Sequence, residues 1–315
     1  MDNMAKNSPY SATFSDWLIG ARTHTWPNAI APVVVGTAVA IRHLGSAWAT
    51  SSDLIWPRAL LAMVVAWSLI VGVNFANDYS DGIRGTDDEE RVGPQRLTGS
   101  GLANPKHVKL AAFGFFGIAG LVGSILSIIS GFWWLILIGV LCVLAAWFYT
   151  GGKHPYGYMG LGEVMVFIFF GLVAVMGTEL TQMGRISWEG AVAACAVGAF
   201  SAANNVVNNL RDIPSDRASG KITLAVKLGD KRTRILYAVL VFGAFGLGVV
   251  MSISTPWTLI SVLALPLAWK GYQPIKNGET GPALIASLRH SARAMLVWSL
   301  LLGVGFIVGG TLWAG

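Results

Sequence analysis

The sequence predicts an all-α integral membrane protein: one domain over residues 1–315, a bundle of about nine transmembrane helices, with a cytoplasmic N-terminus. Three observations predict it. First, 54% of the 315 residues are hydrophobic and 12% are charged, with a mean hydropathy of +0.60, where a soluble domain carries about 25% charged residues. Second, apolar runs recur along the whole chain at close to the ~20 residues that cross a bilayer. Third, Lys and Arg fall almost entirely on one side of the resulting topology, as the positive-inside rule requires.

The apolar runs lie at 27–44, 56–77, 108–130, 132–150, 160–180, 188–210, 233–252, 256–272 and 287–313. With the N-terminus inside, Arg42, Arg58 and Arg185 fall outside, and the other 19 of 22 basic residues fall inside or at the inner boundary. The reverse orientation would invert that ratio. The net charge of +6 therefore reflects cytoplasmic loops and calls for no nucleic-acid partner. The 38 glycines, with clusters such as Gly114/Gly117/Gly120 and Gly243/Gly246/Gly248, read as places of close helix approach. Cys142 and Cys195 lie in apolar runs outside any C-x-x-C pair, so neither a zinc site nor a disulfide framework is expected. No cleavable signal peptide is visible; the first span serves as the insertion signal.

Two of the runs end in acidic sequence on the inner side. The first run passes into Asn74, Asn77, Asp78 and Asp81; Asn74, Asp78 and Asp81 are spaced i, i+4, i+7, and Asn77 and Asp81 i, i+4. The second passes into Asn208, Asp212 and Asp216, spaced i, i+4, i+8. On continuous helices each set shares one face. Carboxylates so grouped at a membrane boundary repel one another unless a cation pairs with them. Hard oxygen donors from Asp and Asn suit Mg²⁺, which is commonly completed by phosphate oxygens of a substrate. Arg96 and Lys221 each follow an acidic motif after a short Gly-containing segment and suit phosphate neutralisation.

These residues resemble the UbiA superfamily of intramembrane prenyltransferases. Asn77-Asp78-Tyr79-Ser80-Asp81 matches its N-D-x-x-D motif, and Asp212-Ile213-Pro214-Ser215-Asp216 its D-x-x-x-D motif. Where the family pattern has a further Asp, this chain has Gly85, with Asp87 slightly later. Within the superfamily the chain is similar to the branch that prenylates 1,4-dihydroxy-2-naphthoate in menaquinone synthesis. That likeness rests on four ordered segments: Ala21–Pro27; Asn77–Asp81 with Gly85–Asp87 and Arg91–Pro94; Tyr149–Gly171; and Asn208–Val226. Thr23 stands where this branch often has Pro.

The resemblance implies transfer of a polyprenyl group from its diphosphate to an aromatic acceptor, with loss of the naphthoate carboxylate as CO₂, by a multi-pass cell-membrane protein surrounded by lipid. It implies Mg²⁺ held by Asn77, Asp78, Asp81, Asp212 and Asp216, the four Asp residues being catalytic. Asn74, Asn208, Arg96 and Lys221 are expected at the substrates. Tyr149, Tyr156 and Phe169 are candidates to shield an allylic cation. Glu163, at the start of an apolar run, either orients a phenol or a cation such as Lys153, or lies at the interface. The acceptor carboxylate needs a cationic anchor, for which Lys153 and then Arg22 are candidates. Two rivals remain: another acceptor such as 4-hydroxybenzoate, and a transporter with intramembrane acidic relays.

Overall fold

A computed structural model describes residues 10–45, 47, 52–85 and 96–312. Asp87, Arg91, Gly93 and Pro94 lie outside them. Among the described residues the regular structure is helical throughout.

The chain opens with a short helix, α1 (Phe14–Gly20), started by a capping box between Thr13 and Asp16. A single 3₁₀ turn, Thr23–Thr25, leads into α2 (Pro27–Leu44). Next come α3 (Ser52–Arg84), α4 (Pro105–Ile129), which starts on the Asn104 cap and Pro105, and α5 (Leu135–Phe148). After a 3₁₀ turn at Tyr156–Met159, α6 (Gly162–Met183) contains a π-helical stretch, Phe167–Val173. The rest is α7 (Trp188–Arg211), short α8 (Ile213–Ala218), α9 (Leu224–Val250), a 3₁₀ segment Pro256–Ala264 running into α10 (Leu265–Lys276), and α11 (Leu284–Leu312).

Each expected span falls on helix. Six helices among the described residues are long and apolar enough to cross a membrane alone: α3, α4, α6, α7, α9 with its extension to Ile253, and α11. The α5 segment is apolar but only 14 residues long.

The larger core lies where α7 is wrapped by α2, α6, α9 and α11. Phe200, Tyr237, Trp298 and Phe306 are fully enclosed there, and Phe200 packs against both Phe245 and Trp298. A second core joins α3, α4 and the N-terminal turn through Phe75, Leu97, Val108 and Phe116.

The close helix contacts are not at the glycine clusters expected from sequence. Gly114, Gly117, Gly120, Gly243 and Gly246 have open space where a Cβ would stand; only Gly248 of those clusters packs tightly, on Trp298. One close crossing is between α6 and α7. A Cβ on Gly171 would lie 2.5 Å from the Gly198 Cα, and one on Gly198 would lie 2.8 Å from the Phe167 carbonyl oxygen. The π-helical stretch spans that crossing. Glycine spacing alone cannot distinguish a packed face from a lipid-facing one.

Candidate active site

The inner end of α3 carries the first motif without a break, so the helical spacing holds: Asn74, Asn77 and Asp81 all line one cavity. The second motif departs from expectation. Helix α7 stops at Arg211, Asp212 takes a non-helical conformation, and Pro214 starts α8. Asn208, Asp212 and Asp216 therefore do not share one continuous helix. Asn208 and Asp212 line the cavity, while Asp216, buried on α8, pairs with Lys221 at 3.2 Å.

The cavity encloses about 550 Å³ and has two parts. Its polar end gathers Asn77, Asp81, Arg96, Asn208, Asp212 and Lys221. Its apolar barrel follows Val73, Ile70, Leu69, Ala66, Val65 and Ala62, one face of α3, toward Leu126, Leu135 and Ile136 at the other membrane face. From Asp81 to Ala62 the helix rises ~28 Å, nearly the thickness of a hydrocarbon core.

Side chains from three later segments meet Asn77 and Asp81 of the first motif. Tyr158 donates its hydroxyl to Asp81 Oδ1 at 2.8 Å, Arg96 Nη2 lies 3.9 Å from Asp81 Oδ2, and Thr150 donates to Asn77 Oδ1 at 2.8 Å. On the second motif, Arg211 donates through Nε and Nη2 to both oxygens of Asp212, each at 2.7 Å. Lys221 lies among carboxylates. Burial would push its ammonium down, but Asp216 and Asp81 outweigh that and hold its pKa above the ordinary lysine value.

Several of the expected site residues sit away from the cavity lining or are engaged elsewhere. Asp78 is fully buried and away from the cavity; its two oxygens accept the backbone N–H groups of Leu97 and Thr98 at 2.9 and 2.8 Å. In this structure it fastens the loop after α3. Lys153 is exposed and is absent from the cavity wall, to which its neighbours Tyr149, Thr150 and Tyr156 do contribute. Glu163 is buried behind the wall, accepting from Asn209 Nδ2 at 2.6 Å. Asn74 touches the cavity, but its amide is spent on the chain: Nδ2 donates to the Ala21 carbonyl at 3.1 Å and to Thr25 Oγ1 at 3.0 Å.

That clamp holds the turn bearing Arg22, a non-glycine residue at φ 51°. A side chain in the left-handed region is strained and needs such support. The turn brings Arg22, His24 and Thr25 to the cavity, where Arg211 and Tyr149 also stand. Burial, with Arg22 and Arg211 nearby, pushes the His24 pKa down to about 4, so its imidazole is neutral near pH 7. Tyr149, Tyr156 and Phe169 line the cavity as expected. Tyr149 donates to Asn205 Oδ1 at 3.4 Å. Asn204 was missed by the sequence reading. It lines the cavity with both amide atoms buried and, among the described residues, unpartnered; Asn205 Nδ2 is in the same condition. Orphaned buried amides on a cavity wall mark the place of a polar ligand.

The donor set fits Mg²⁺. The wall offers amide and carboxylate oxygens, and among the described residues no three acidic, His or Cys side chains converge to cage a metal alone.

Residues 29–280 match the model of the UbiA prenyltransferase family. A 1,4-dihydroxy-2-naphthoate octaprenyltransferase of Mycobacterium tuberculosis is 50% identical over 92% of this chain and 96% of its own length. The protein of the same name from Escherichia coli is 33% identical over 93% and 95%. Among solved structures, a UbiA homolog from Aeropyrum pernix superposes with a TM-score of 0.62 at 15% identity, covering 90% of this chain and 97% of that one. A UbiA homolog from Archaeoglobus fulgidus bound to GPP and Mg²⁺ gives 0.59 at 14% identity, covering 93% and 99%. With this match along most of its length, the chain belongs to the UbiA prenyltransferase family and is a multi-pass membrane prenyltransferase.

Proposed function

We propose that this chain transfers a polyprenyl group from polyprenyl diphosphate to 1,4-dihydroxy-2-naphthoate, with loss of the carboxylate as CO₂, using Mg²⁺ at a site on the cytoplasmic side of the membrane. The observation that carries the reading is the two-part cavity: a polar end rich in oxygen donors and cations, continuous with an apolar barrel, the whole running ~28 Å along α3 from Asp81 to Ala62. A diphosphate with a long isoprenoid tail has that shape and polarity. The acceptor follows from the relatives' activity together with the cationic corner at Arg22 and Arg211.

Asn77 and Asp81 on α3, with Asp212 and Asp216 beyond α7, are the residues to hold Mg²⁺. Bound there, the ion supplies charge neutralisation that makes diphosphate a competent leaving group. Arg96 and Lys221 add fixed positive charge on the same diphosphate, where negative charge grows as the C–O bond breaks. Tyr149, Tyr156 and Phe169 present ring faces to the allylic carbon as it becomes cationic. Arg22 and Arg211 anchor the acceptor carboxylate in place of Lys153. The neutral His24 and the amides of Asn204 and Asn205 are hydrogen-bonding partners for the acceptor hydroxyls. The barrel excludes water from the cation, which would otherwise be quenched to an alcohol.

The test is a Mg²⁺ titration of purified protein in proteoliposomes, with the naphthoate and a polyprenyl diphosphate. Prenylated product and CO₂ that rise together with Mg²⁺ and vanish on chelation support the reading; prenylation at full rate in chelator overturns its metal part.

A further inference from the structure

The two acidic motifs lie on separate elements, α3 and the α7–α8 break, and like charges on facing walls repel. One residue outside both motifs touches each half. Tyr158 sits on the 3₁₀ turn Tyr156–Met159, and its hydroxyl donates to Asp81 Oδ1 at 2.8 Å. Two cations lie over its ring: Lys221 Nζ is 5.4 Å from the centroid and the Arg84 guanidinium carbon 5.5 Å. Lys221 is in turn paired with Asp216.

The turn is fastened to the second half by backbone as well. Ile222 N–H donates to the Tyr158 carbonyl at 3.2 Å, and Lys227 Nζ donates to the Met159 carbonyl at 2.6 Å. It is fastened to the end of α5 through Gly157 N–H, which donates to the Tyr149 carbonyl at 3.0 Å. Arg84, from the last turn of α3, donates to the carbonyls of Thr150 and Gly152, closing the same assembly from the first half.

We propose that Tyr158 is a positioning residue that joins the two halves of the headgroup site, holding Asp81 and Lys221 at the separation that Mg²⁺ and a prenyl diphosphate require. The inference rests on the two-motif metal reading above. The hydroxyl fixes the rotation of the Asp81 carboxylate while leaving its other oxygen toward Arg96. The ring holds Lys221 by cation–π attraction at a site where burial alone disfavours its charge. A preformed site spares the substrate the cost of ordering it.

The test compares Tyr158→Phe, Tyr158→Leu and Asp81→Asn with the wild type in detergent. Binding of Mg²⁺ with geranyl diphosphate, without acceptor, is measured by calorimetry; steady-state KM for each substrate and the Mg²⁺ half-saturation are measured separately. Tyr158→Phe keeps the ring and loses only the hydroxyl, so ligand-free melting stays near wild type. It should weaken Mg²⁺–geranyl diphosphate binding about tenfold, the scale of one charge-assisted hydrogen bond. It should also raise the Mg²⁺ half-saturation and leave the naphthoate KM unchanged, with excess Mg²⁺ restoring turnover. Tyr158→Leu should bind more weakly still. If Tyr158→Phe binds as wild type while Asp81→Asn does not, Tyr158 has no positioning role and the proposal is wrong. If Asp81→Asn also binds as wild type, the metal reading itself fails and takes this proposal with it.

Discussion

The side-chain amide of Asn74 donates to the Thr25 hydroxyl at 3.0 Å, across 49 residues of sequence, and to the Ala21 carbonyl at 3.1 Å. Through these bonds the first motif, which lines the cavity at Asn77 and Asp81, also holds the turn that brings Arg22 to the same cavity. Replacing Asn74 with Ala removes one of two side-chain donors to the Ala21 carbonyl, Trp26 Nε1 being the other, a loss of about 1 kcal/mol, and loosens the Arg22 turn. The naphthoate KM should rise about tenfold or more, with binding of Mg²⁺–prenyl diphosphate little changed. Equal losses on both substrates would place Asn74 at the diphosphate.

The acceptor anchor is tested by a pair of variants. Lys153→Met should leave both KM values within about twofold, because the side chain is exposed and away from the cavity. Arg22→Met should raise the naphthoate KM by about tenfold to a hundredfold, the scale of a lost charge-assisted contact. Steady-state kinetics with each substrate varied in turn reads the difference.

Asp78 and Asp81, three residues apart, should fail in different ways. Asp78→Asn loses one of two backbone acceptor contacts in a fully buried place and should lower stability by about 2 kcal/mol, seen as a lower melting temperature in detergent. Asp81→Asn should melt near wild type yet lose turnover by about two or more orders of magnitude. A folded, inactive Asp78 variant would reverse the assignment.

Acidification should weaken the N-terminal turn through His24. Its folded pKa, about 4, lies below the ordinary 6.5, so the unfolded chain takes up the proton first. The stability this histidine contributes is complete above pH ~6.5 and is drawn down as pH falls toward 4. Melting curves from pH 7.5 to 5 should show a smaller acid-induced drop for His24→Asn than for wild type. An identical drop would remove the histidine from the account.

The proposed topology, read from the basic-residue asymmetry, has both motif loops facing the cytoplasm. Ser100→Cys and Ser219→Cys, both at exposed positions, should escape an impermeant thiol reagent added outside intact cells, while Arg185→Cys is labelled. Labelling at 100 and 219 would invert the topology.

Much of this was legible in sequence because bilayer spans and helix periodicity are local signals. The run into Asn77 and Asp81 stays on one helix, so its i, i+4 spacing correctly predicted a shared wall. The spacing did not reveal that Asp78 turns to a loop arriving nineteen residues later, since that contact is tertiary. Pro214 sits within the second motif, yet the break at Asp212 was passed over. Lys153 draws notice because it lies within a recognised segment and Glu163 because it opens an apolar run, whereas the structure leaves Lys153 exposed and buries Glu163, on the first turn of α6, behind Asn209. Asn204 lay hidden at the end of an apolar run, with nothing local to mark it as facing a cavity.

The central claim is that one cavity joins a prenyl diphosphate to a naphthoate. The most direct measurement incubates purified protein in proteoliposomes with Mg²⁺, a polyprenyl diphosphate and either 1,4-dihydroxy-2-naphthoate or 4-hydroxybenzoate, and identifies products by mass spectrometry. The account predicts a prenylated product from the naphthoate that has lost the mass of CO₂, and none from 4-hydroxybenzoate. Prenylated 4-hydroxybenzoate with untouched naphthoate would contradict it.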